Sequence, residues 1–265
     1  MKKISILGCG WLGFPLAKRL VSESYYVKGS TTRWDKLNLL QENDIEPSRM
    51  VLTADGIYEK DFFDTDILFL NIPPGRKDPD LLKTYVGKIS SLFGYLPPDS
   101  KIIFASSTGV YPNNDDTVDE NTRPDPVRAS GKAVLAAEEI LKDRFENLCI
   151  LRFAGLTGPG RKAGSFLAGK KDIPNGNTLV NLVHLDDCIS VIQKIIEGDH
   201  WGDSFNVVSD KHPSREDFYL AAAKKEGLEA PVFNDEKGSF KIVSNQKVKQ
   251  TLSFEFKYPD PLDFP

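Results

Sequence analysis

Residues 8–13 read Gly8, Cys9, Gly10, Trp11, Leu12, Gly13, placing three glycines at fixed offsets directly after the short apolar run Lys3 to Leu7. Apolar residues then recur at helical spacing, at Leu12, Leu16, Ala17, Leu20 and Val21. A strand that turns this abruptly into a helix constrains the chain more than any other feature, because such a turn belongs to a strand–helix–strand unit. Gly8 allows the sharp turn, Gly10 lets backbone approach a pyrophosphate with no Cβ in the way, and Gly13 permits close packing of helix on strand. The free N–H groups and positive end of the helix, with Trp11 and Leu12 in its first turn, then face the phosphates of a dinucleotide.

The rhythm of the chain extends this unit. Tyr25 to Ser30 reads as a strand, Trp34 to Gln41 as a helix, Arg49 to Thr53 as a strand, and Ile67 to Asn71 as a buried strand stopped by Pro73 and Pro74. Leu81 to Leu96 is predicted to be one long helix, Lys101 to Ser106 a strand, Val127 to Phe145 a helix and Leu148 to Phe153 a sixth strand. The alternation predicts an α/β protein built on a doubly wound parallel sheet of Rossmann type. After residue 153 the pattern changes, and glycines crowd a stretch with little helical or strand period. A strand at Leu179 to Val183, a helix at Asp186 to Ile196 and a strand at Ser204 to Val208 follow; Ser214 caps a helix Arg215 to Lys225, and a last helix spans Gln246 to Leu252 before the proline-rich Tyr258 to Pro265. The predicted organisation is a dinucleotide domain over 1–153 to which 179–208 returns, with 154–178 and 209–265 forming a small substrate-binding cap. With 265 residues, the chain exceeds the ~150 of an average domain by about such a cap.

Charge and cysteine usage narrow the function. Against 38 Asp and Glu stand 34 Lys and Arg, a net charge of −4, and the basic residues never concentrate into a patch able to release nucleic-acid counterions. The longest apolar runs, such as Ile67 to Leu70, fall far short of the roughly 18 residues of a membrane span, and the run after Met1, Lys2 and Lys3 is too short for a signal peptide. Cys9, Cys149 and Cys188 are too scattered for a disulfide scaffold or, with three dispersed histidines, for a metal site, which suits a cytoplasmic protein. The expected partner is a small molecule, with neither nucleic acid nor membrane; a homodimer stays open.

Cofactor choice is read about 20 residues past the glycine loop, where a carboxylate would bind the ribose 2′-hydroxyl of NAD. Here the chain reads Gly29, Ser30, Thr31, Thr32, Arg33. Hydroxyls beside a guanidinium suit a 2′-phosphate, which predicts NADP, with NAD as the alternative should Arg33 merely begin a solvated helix.

With these residues in place the chain resembles the extended, NAD-dependent epimerase/dehydratase-like branch of the short-chain dehydrogenase/reductases over nearly its whole length. Ile102 to Tyr111 (IIFASSTGVY) looks like the family's serine motif, Gly158 to Arg161 (GPGR) like its substrate loop, and Val183 to Asp187 (VHLDD) like a further marker. The opening LGCGWLGFPLA and the ending KYPDPL, Lys257 to Leu262, look most like a small atypical YeeZ-like subgroup.

The resemblance implies a Ser, a Tyr and a Lys acting together, with Tyr four residues before Lys. Ser107 and Lys132 fit the serine and lysine, but Arg128 stands where the tyrosine belongs. A guanidinium cannot exchange protons near neutral pH, and a missing general acid forfeits roughly 10²–10⁴-fold in rate. Three readings remain: Tyr111 supplies the proton, although the family's tyrosine at that place is mainly structural; Arg128 binds an anionic substrate in a different chemistry; or the fold binds nucleotide without turnover, as a regulator or scaffold. Ser106 and Thr108 are expected beside Ser107 at the cofactor and substrate, Lys132 at the ribose, and Arg161 at a substrate anion or in a surface ion pair. Arg33, Arg128, Lys132 and Arg161 together would gather positive charge around a cleft in an otherwise acidic protein.

Other residues take plainer readings. His184 is expected as a satisfied core histidine, Asp186 and Asp187 as caps of the next helix, Cys9 as a small packing residue, and the acidic group Asp115, Asp116, Asp119 and Glu120 as a solvated loop.

Overall fold

The computed structural model describes residues 1–75 and 78–264. The chain runs β1 (Lys3–Leu7), α1 (Gly13–Ser22), β2 (Tyr26–Thr31), α2 (Leu37–Gln41), β3 (Glu46–Arg49), α3 (Lys60–Phe63), β4 (Ile67–Leu70), α4 (Leu81–Ser90), β5 (Lys101–Ser107) and β6 (Thr117–Val118). It continues through α5 (Ala129–Arg144), β7 (Leu148–Phe153), β8 (Gly155–Thr157), α6 (Gly164–Leu167), β9 (Leu182–His184), α7 (Leu185–Gly198), β10 (Ser204–Val207), α8 (Arg215–Lys225), β11 (Ile242–Val243) and α9 (Gln246–Thr251). Seven strands form one sheet in the order β10-β7-β5-β4-β1-β2-β3, with β1 parallel to both β2 and β4. The predicted doubly wound α/β fold is therefore present, and its order reverses at β1, the point at which open sheets of this kind leave a crevice for ligands.

Burial explains why these segments became strands. Every residue of β4 and β7 is buried, as in a sheet covered on both faces, and such strands are nearly continuous apolar runs. On α1, Gly13, Leu16, Ala17 and Leu20 face inward, the stripe expected from the sequence.

Several boundaries differ from the sequence reading for physical reasons. The third strand lies at Glu46–Arg49, not Arg49 to Thr53; as an edge strand it tolerates Pro47 and charged residues, which disguise it. The predicted helix Leu81 to Leu96 stops at Ser90 and continues as turns toward Gly94 and the Pro97–Pro98 pair. Trp34 to Gln41 divides into a 3-10 turn and α2. The strand expected at Leu179 to Val183 is β9, displaced to Leu182–His184, and it pairs with β8 in a separate two-stranded sheet; only β10 of that region joins the main sheet.

By compactness the chain divides into two units. The first comprises Met1–Val110, Asp125–Leu151 and Ile195–Ser204; the second comprises Tyr111–Pro124, Arg152–Lys194 and the chain from Phe205 onward. In the second, Ser214 Oγ accepts from the Asp217 backbone N–H at 3.0 Å and caps α8 as predicted. Asp187 does something other than the expected capping. Its carboxylate, 1% exposed, accepts from the backbone N–H groups of Lys257 at 2.8 Å and Tyr258 at 3.1 Å, so the VHLDD motif clamps the KYPDPL strap.

Removing that carboxylate leaves two backbone donors without their partner, each costing about 1–3 kcal/mol where water cannot replace it. Asp187→Ala is therefore expected to lower unfolding stability by about 2–4 kcal/mol in urea titrations and to raise hydrogen exchange at Lys257 and Tyr258.

Candidate functional site

In the first unit the glycine loop is a crowded turn with one open side. Gly8 adopts φ +108°, and a Cβ there would meet the Asn71 carbonyl oxygen at 2.5 Å. A Cβ on Gly13 would stand 2.2 Å from the Gly8 carbonyl oxygen. Gly10 is different, for a Cβ there would meet no atom within 4 Å. Packing within the protein accounts for Gly8 and Gly13 and leaves Gly10 unexplained.

Hydrogen bonds fix the turn from both neighbouring strands. Gly8 N–H donates to Ser30 Oγ at 2.9 Å, Cys9 N–H donates to the Ser30 carbonyl at 2.8 Å, and Asn71 Nδ2 donates to the Gly8 carbonyl at 3.0 Å. Leu12, at the N-cap position of α1, makes no side-chain cap hydrogen bond. Burial pushes the Cys9 thiol up to about 12, and its sulfur occupies the space a Cβ on Gly29 would need, so this cysteine packs and does not react.

A cleft of about 340 Å³ opens beside this turn, lined by Gly8, Gly10, Thr31, Thr32, Arg33 and Lys36 among others. The Arg33 guanidinium is exposed and forks onto the Asp35 carboxylate, with Nε to Oδ1 at 2.9 Å. Sequence reasoning missed Lys36, Asn71 and Lys88 in this lining. Position supplied a signal for Asn71, since it directly follows β4 at the sheet's reversal, whereas Lys88 reaches the cleft from α4 and had none.

Ser106 and Ser107 end β5. Ser106 Oγ donates to the carboxylate of Glu138, which is 0% exposed on α5; this buried pair ties strand to helix and was not foreseen. Ser107 Oγ accepts from Gly109 N–H at 3.0 Å. Thr108 is buried and begins a short 3-10 turn. α5 comes against that turn at Gly131, where a Cβ would meet the Gly109 carbonyl oxygen at 2.6 Å. Exposed Lys132 therefore starts beside the Ser107 turn, and its N–H donates to the Arg128 carbonyl at 3.0 Å, one helical turn back. Arg128 is exposed at the N-cap position of α5.

Tyr111 belongs to the second unit, where it is 2% exposed. Its hydroxyl accepts from Arg152 Nη1 at 2.7 Å and donates to Asn206 Oδ1 at 2.9 Å. Burial raises its pKa above the ordinary phenol value, with the adjacent Arg152 working the other way. Glu120, expected in a solvated loop, instead accepts from the Asn206 N–H at 2.6 Å and is raised by burial. Trp11 and Leu12, Ser107 and Lys132 thus fall in one unit with Arg33 and Arg128, and Tyr111 and Arg161 in the other.

Arg161 ends a glycine turn in which Gly158 and Gly160 adopt φ +143° and +77° and Arg161 N–H donates to the Gly158 carbonyl at 2.9 Å. It lines a cavity of about 540 Å³ in the second unit. His184 is buried, as expected, and its Nδ1 accepts from Asp186 N–H at 3.2 Å, but its Nε2 has no hydrogen-bond partner. Its ring lies 4.1 Å from the Tyr258 ring, and desolvation lowers its pKa below the usual 6.5.

No family model matches the chain. Over its whole length it is 36% identical to Protein YeeZ of Escherichia coli K12, of which the match covers 99%. Among solved structures, it is similar to a conserved protein of unknown function from Silicibacter pomeroyi (TM-score 0.79, 22% identity, 99% of this chain and 96% of that one). UDP-glucuronic acid 4-epimerase from Bacillus cereus, solved with NAD, superposes with TM-score 0.77 at 20% identity over 99% of this chain and 96% of that one. UDP-glucose 4-epimerase from Thermotoga maritima, solved with UDP-glucose, gives 0.76 at 17% over 97% and 94%. These solved structures share the fold.

A histidine whose folded pKa is lowered takes up its proton more readily once the chain unfolds. Stability present above the ordinary value is therefore lost as pH falls through it toward the folded value, and His212, also lowered by burial, adds to the slope. Unfolding free energy is expected to drop between pH 7 and pH 5, and His184→Gln to flatten that drop in parallel denaturant titrations.

Proposed function

This chain belongs to the YeeZ family, and from that premise we propose that it is an NAD(P)-dependent oxidoreductase or epimerase/dehydratase-like enzyme with an atypical active site, acting on a small polar or nucleotide-linked substrate. The observation that carries the proposal is Gly10. Backbone packing explains the other two glycines of the loop and not Gly10, which stands open beside the N-terminus of α1, where something outside the protein can approach. A pyrophosphate has that shape and charge. The Bacillus cereus epimerase solved with NAD agrees with it.

The cofactor is NADP in preference to NAD. Thr31, Thr32, Arg33 and Lys36 line the cleft at the end of β2, and the carboxylate nearest to them in sequence, Asp35, is held by Arg33 itself. An exposed ion pair is easily exchanged for a phosphate, which the same fork accepts through two hydrogen bonds. Bound in this cleft, a nicotinamide dinucleotide supplies hydride transfer.

The chain's own residues do the rest. Ser106 and its buried partner Glu138 hold the end of β5, Ser107 and Thr108 present hydroxyls there, Lys132 holds the ribose, and Arg128 binds a substrate anion where related enzymes place a proton-transferring tyrosine. Tyr111 acts through structure, since both its hydroxyl contacts and its burial hold it as an un-ionised strut. Arg128 also supports a second reading, a non-catalytic NAD(P)-binding regulator, because a guanidinium stands in the tyrosine's place and does not exchange protons near neutral pH. Stereospecific deuterium exchange from labelled NADPH over a panel of carbonyl compounds and sugars separates the two; label retained with every compound favours the regulator.

The cofactor reading is tested by titration. NADPH is expected to bind at least ~10-fold tighter than NADH, and Arg33→Ala to remove most of that margin. Gly10→Ala is expected to leave the thermal midpoint nearly unchanged while weakening NADPH binding ~10-fold or more, whereas Gly13→Ala, forced against the Gly8 carbonyl, lowers stability by about 1–3 kcal/mol. Equal NADH and NADPH affinities would refute the preference, and normal NADPH binding by Gly10→Ala would refute the glycine argument.

A further inference from the structure

One face of the main sheet buries polar side chains. β2 and β3 pair with Lys28 beside Glu46 and Ser30 beside Ser48, and residues in register on parallel strands share a face, here the one from which Lys28 reaches α3. Lys28 is 6% exposed and Ser48 8%. Lys28 Nζ donates to the Asp61 carbonyl and, at 3.4 Å, to the Asp64 carbonyl, which leaves one of its three N–H groups over. Carbonyls accept from an ammonium without neutralising it, and no carboxylate among the described residues forms an ion pair with Lys28. The Asp64 carboxylate is held by Lys3 at 2.6 Å, and Glu46 accepts from the Tyr26 hydroxyl. The Ser48 hydroxyl is buried and has no hydrogen-bond partner. A buried charge without a counter-ion and a buried hydroxyl without a partner are both costly, and here they occur together.

Both groups line one cavity of about 310 Å³, a volume suited to a small molecule, and this cavity shares no lining residue with the cofactor cleft. Pro47 and the buried Phe62 give it an apolar wall, while Glu46, Glu59, Lys60 and Asp61 are exposed around it. Glu59 opens α3 without using its carboxylate as a cap. The charges are therefore sorted, with a buried cation and hydroxyl on the sheet side and a surplus of exposed carboxylates on the other. An ammonium at the centre opposes a metal ion, and three carboxylates around it oppose a simple anion. A molecule with a carboxylate at one end and an ammonium at the other meets both conditions.

We propose that the cavity between β2, β3 and α3 binds a free α-amino acid with a small aliphatic side chain. The ligand carboxylate accepts from Lys28 and Ser48, its ammonium donates to Glu59 and Glu46, and its side chain lies against Pro47 and Phe62. The site stands apart from the cofactor cleft and needs nothing from the enzymatic reading.

Calorimetric titration of the full-length protein with glycine, L-alanine, L-valine and L-leucine tests this. Saturable binding near one equivalent is expected for at least one of them. The tightest is expected to exceed its deaminated and its decarboxylated analogue, 3-methylbutanoate and isobutylamine in the case of valine, by at least ~10-fold. Lys28→Met and Glu59→Gln are each expected to weaken binding ~10-fold, with circular dichroism confirming folding. Ser48→Ala separates binding from structure. It removes a hydroxyl that has no partner, so the thermal midpoint is expected to hold or rise while amino-acid binding weakens ~10-fold. Should Lys28→Met fail to fold, Glu59→Gln and Ser48→Ala carry the test. Saturating NADPH is expected to leave the amino acid bound. No saturable binding of any of the four, equal affinity for either analogue, unchanged binding in the folded variants, or displacement by NADPH would overturn the proposal.

Discussion

The structure depends on the crowding of backbone at the point where the sheet reverses. β1 delivers the chain into a turn so tight that Gly13 can have no side chain without striking the Gly8 carbonyl, and Gly8 none without striking Asn71. Two strands and a helix therefore meet with peptide against peptide. Ser30 and Asn71 satisfy the polar groups of the turn from either side, which rigidifies it without covering its outer face. A rigid turn that leads straight into a helix N-terminus suits an anion, so the packing constraint and the proposed binding have one origin.

This explains which parts of the molecule the sequence made legible. The glycine loop, the α1 stripe and the buried strands are local patterns in which period and spacing suffice, and Ser214 capping α8 is another. β3 was misplaced because an edge strand buries only part of its surface and can carry Pro47, Glu46 and Arg49. The Asp187 clamp was missed for a different reason. A carboxylate two residues into a helix has an ordinary local explanation, and nothing near it in sequence indicates that residues seventy positions later will donate to it. Glu138 behind Ser106 and Glu120 behind Asn206 share this character: each is an acidic residue in a charged stretch whose burial is decided by distant chain.

Tyr111 and Arg128 show how burial separates residues of similar promise. From spacing alone, Tyr111 was a rival for the proton-transfer role. A phenol that accepts from a buried arginine and donates to a buried asparagine has both its hydrogen-bonding directions filled, and freeing it would leave Arg152, 3% exposed, short of a partner it needs. Arg128 is the opposite case, an exposed guanidinium at the start of α5 with its backbone in an extended conformation. Charge that stays hydrated is available to a ligand; charge that is buried and paired is spent on the fold.

The same reasoning accounts for the two motifs that first appeared only as family markers. VHLDD and KYPDPL lie far apart in sequence, yet one supplies the acceptor and the other the donors of a single buried contact. A carboxylate removed from water requires such donors, and two adjacent backbone N–H groups supply them whatever side chains the strap carries. Anchoring through backbone leaves the side chains of Pro261, Leu262 and Phe264 to line the cavity beside α8. A segment held through its main chain takes its position from the Asp187 contact and leaves its side chains for packing.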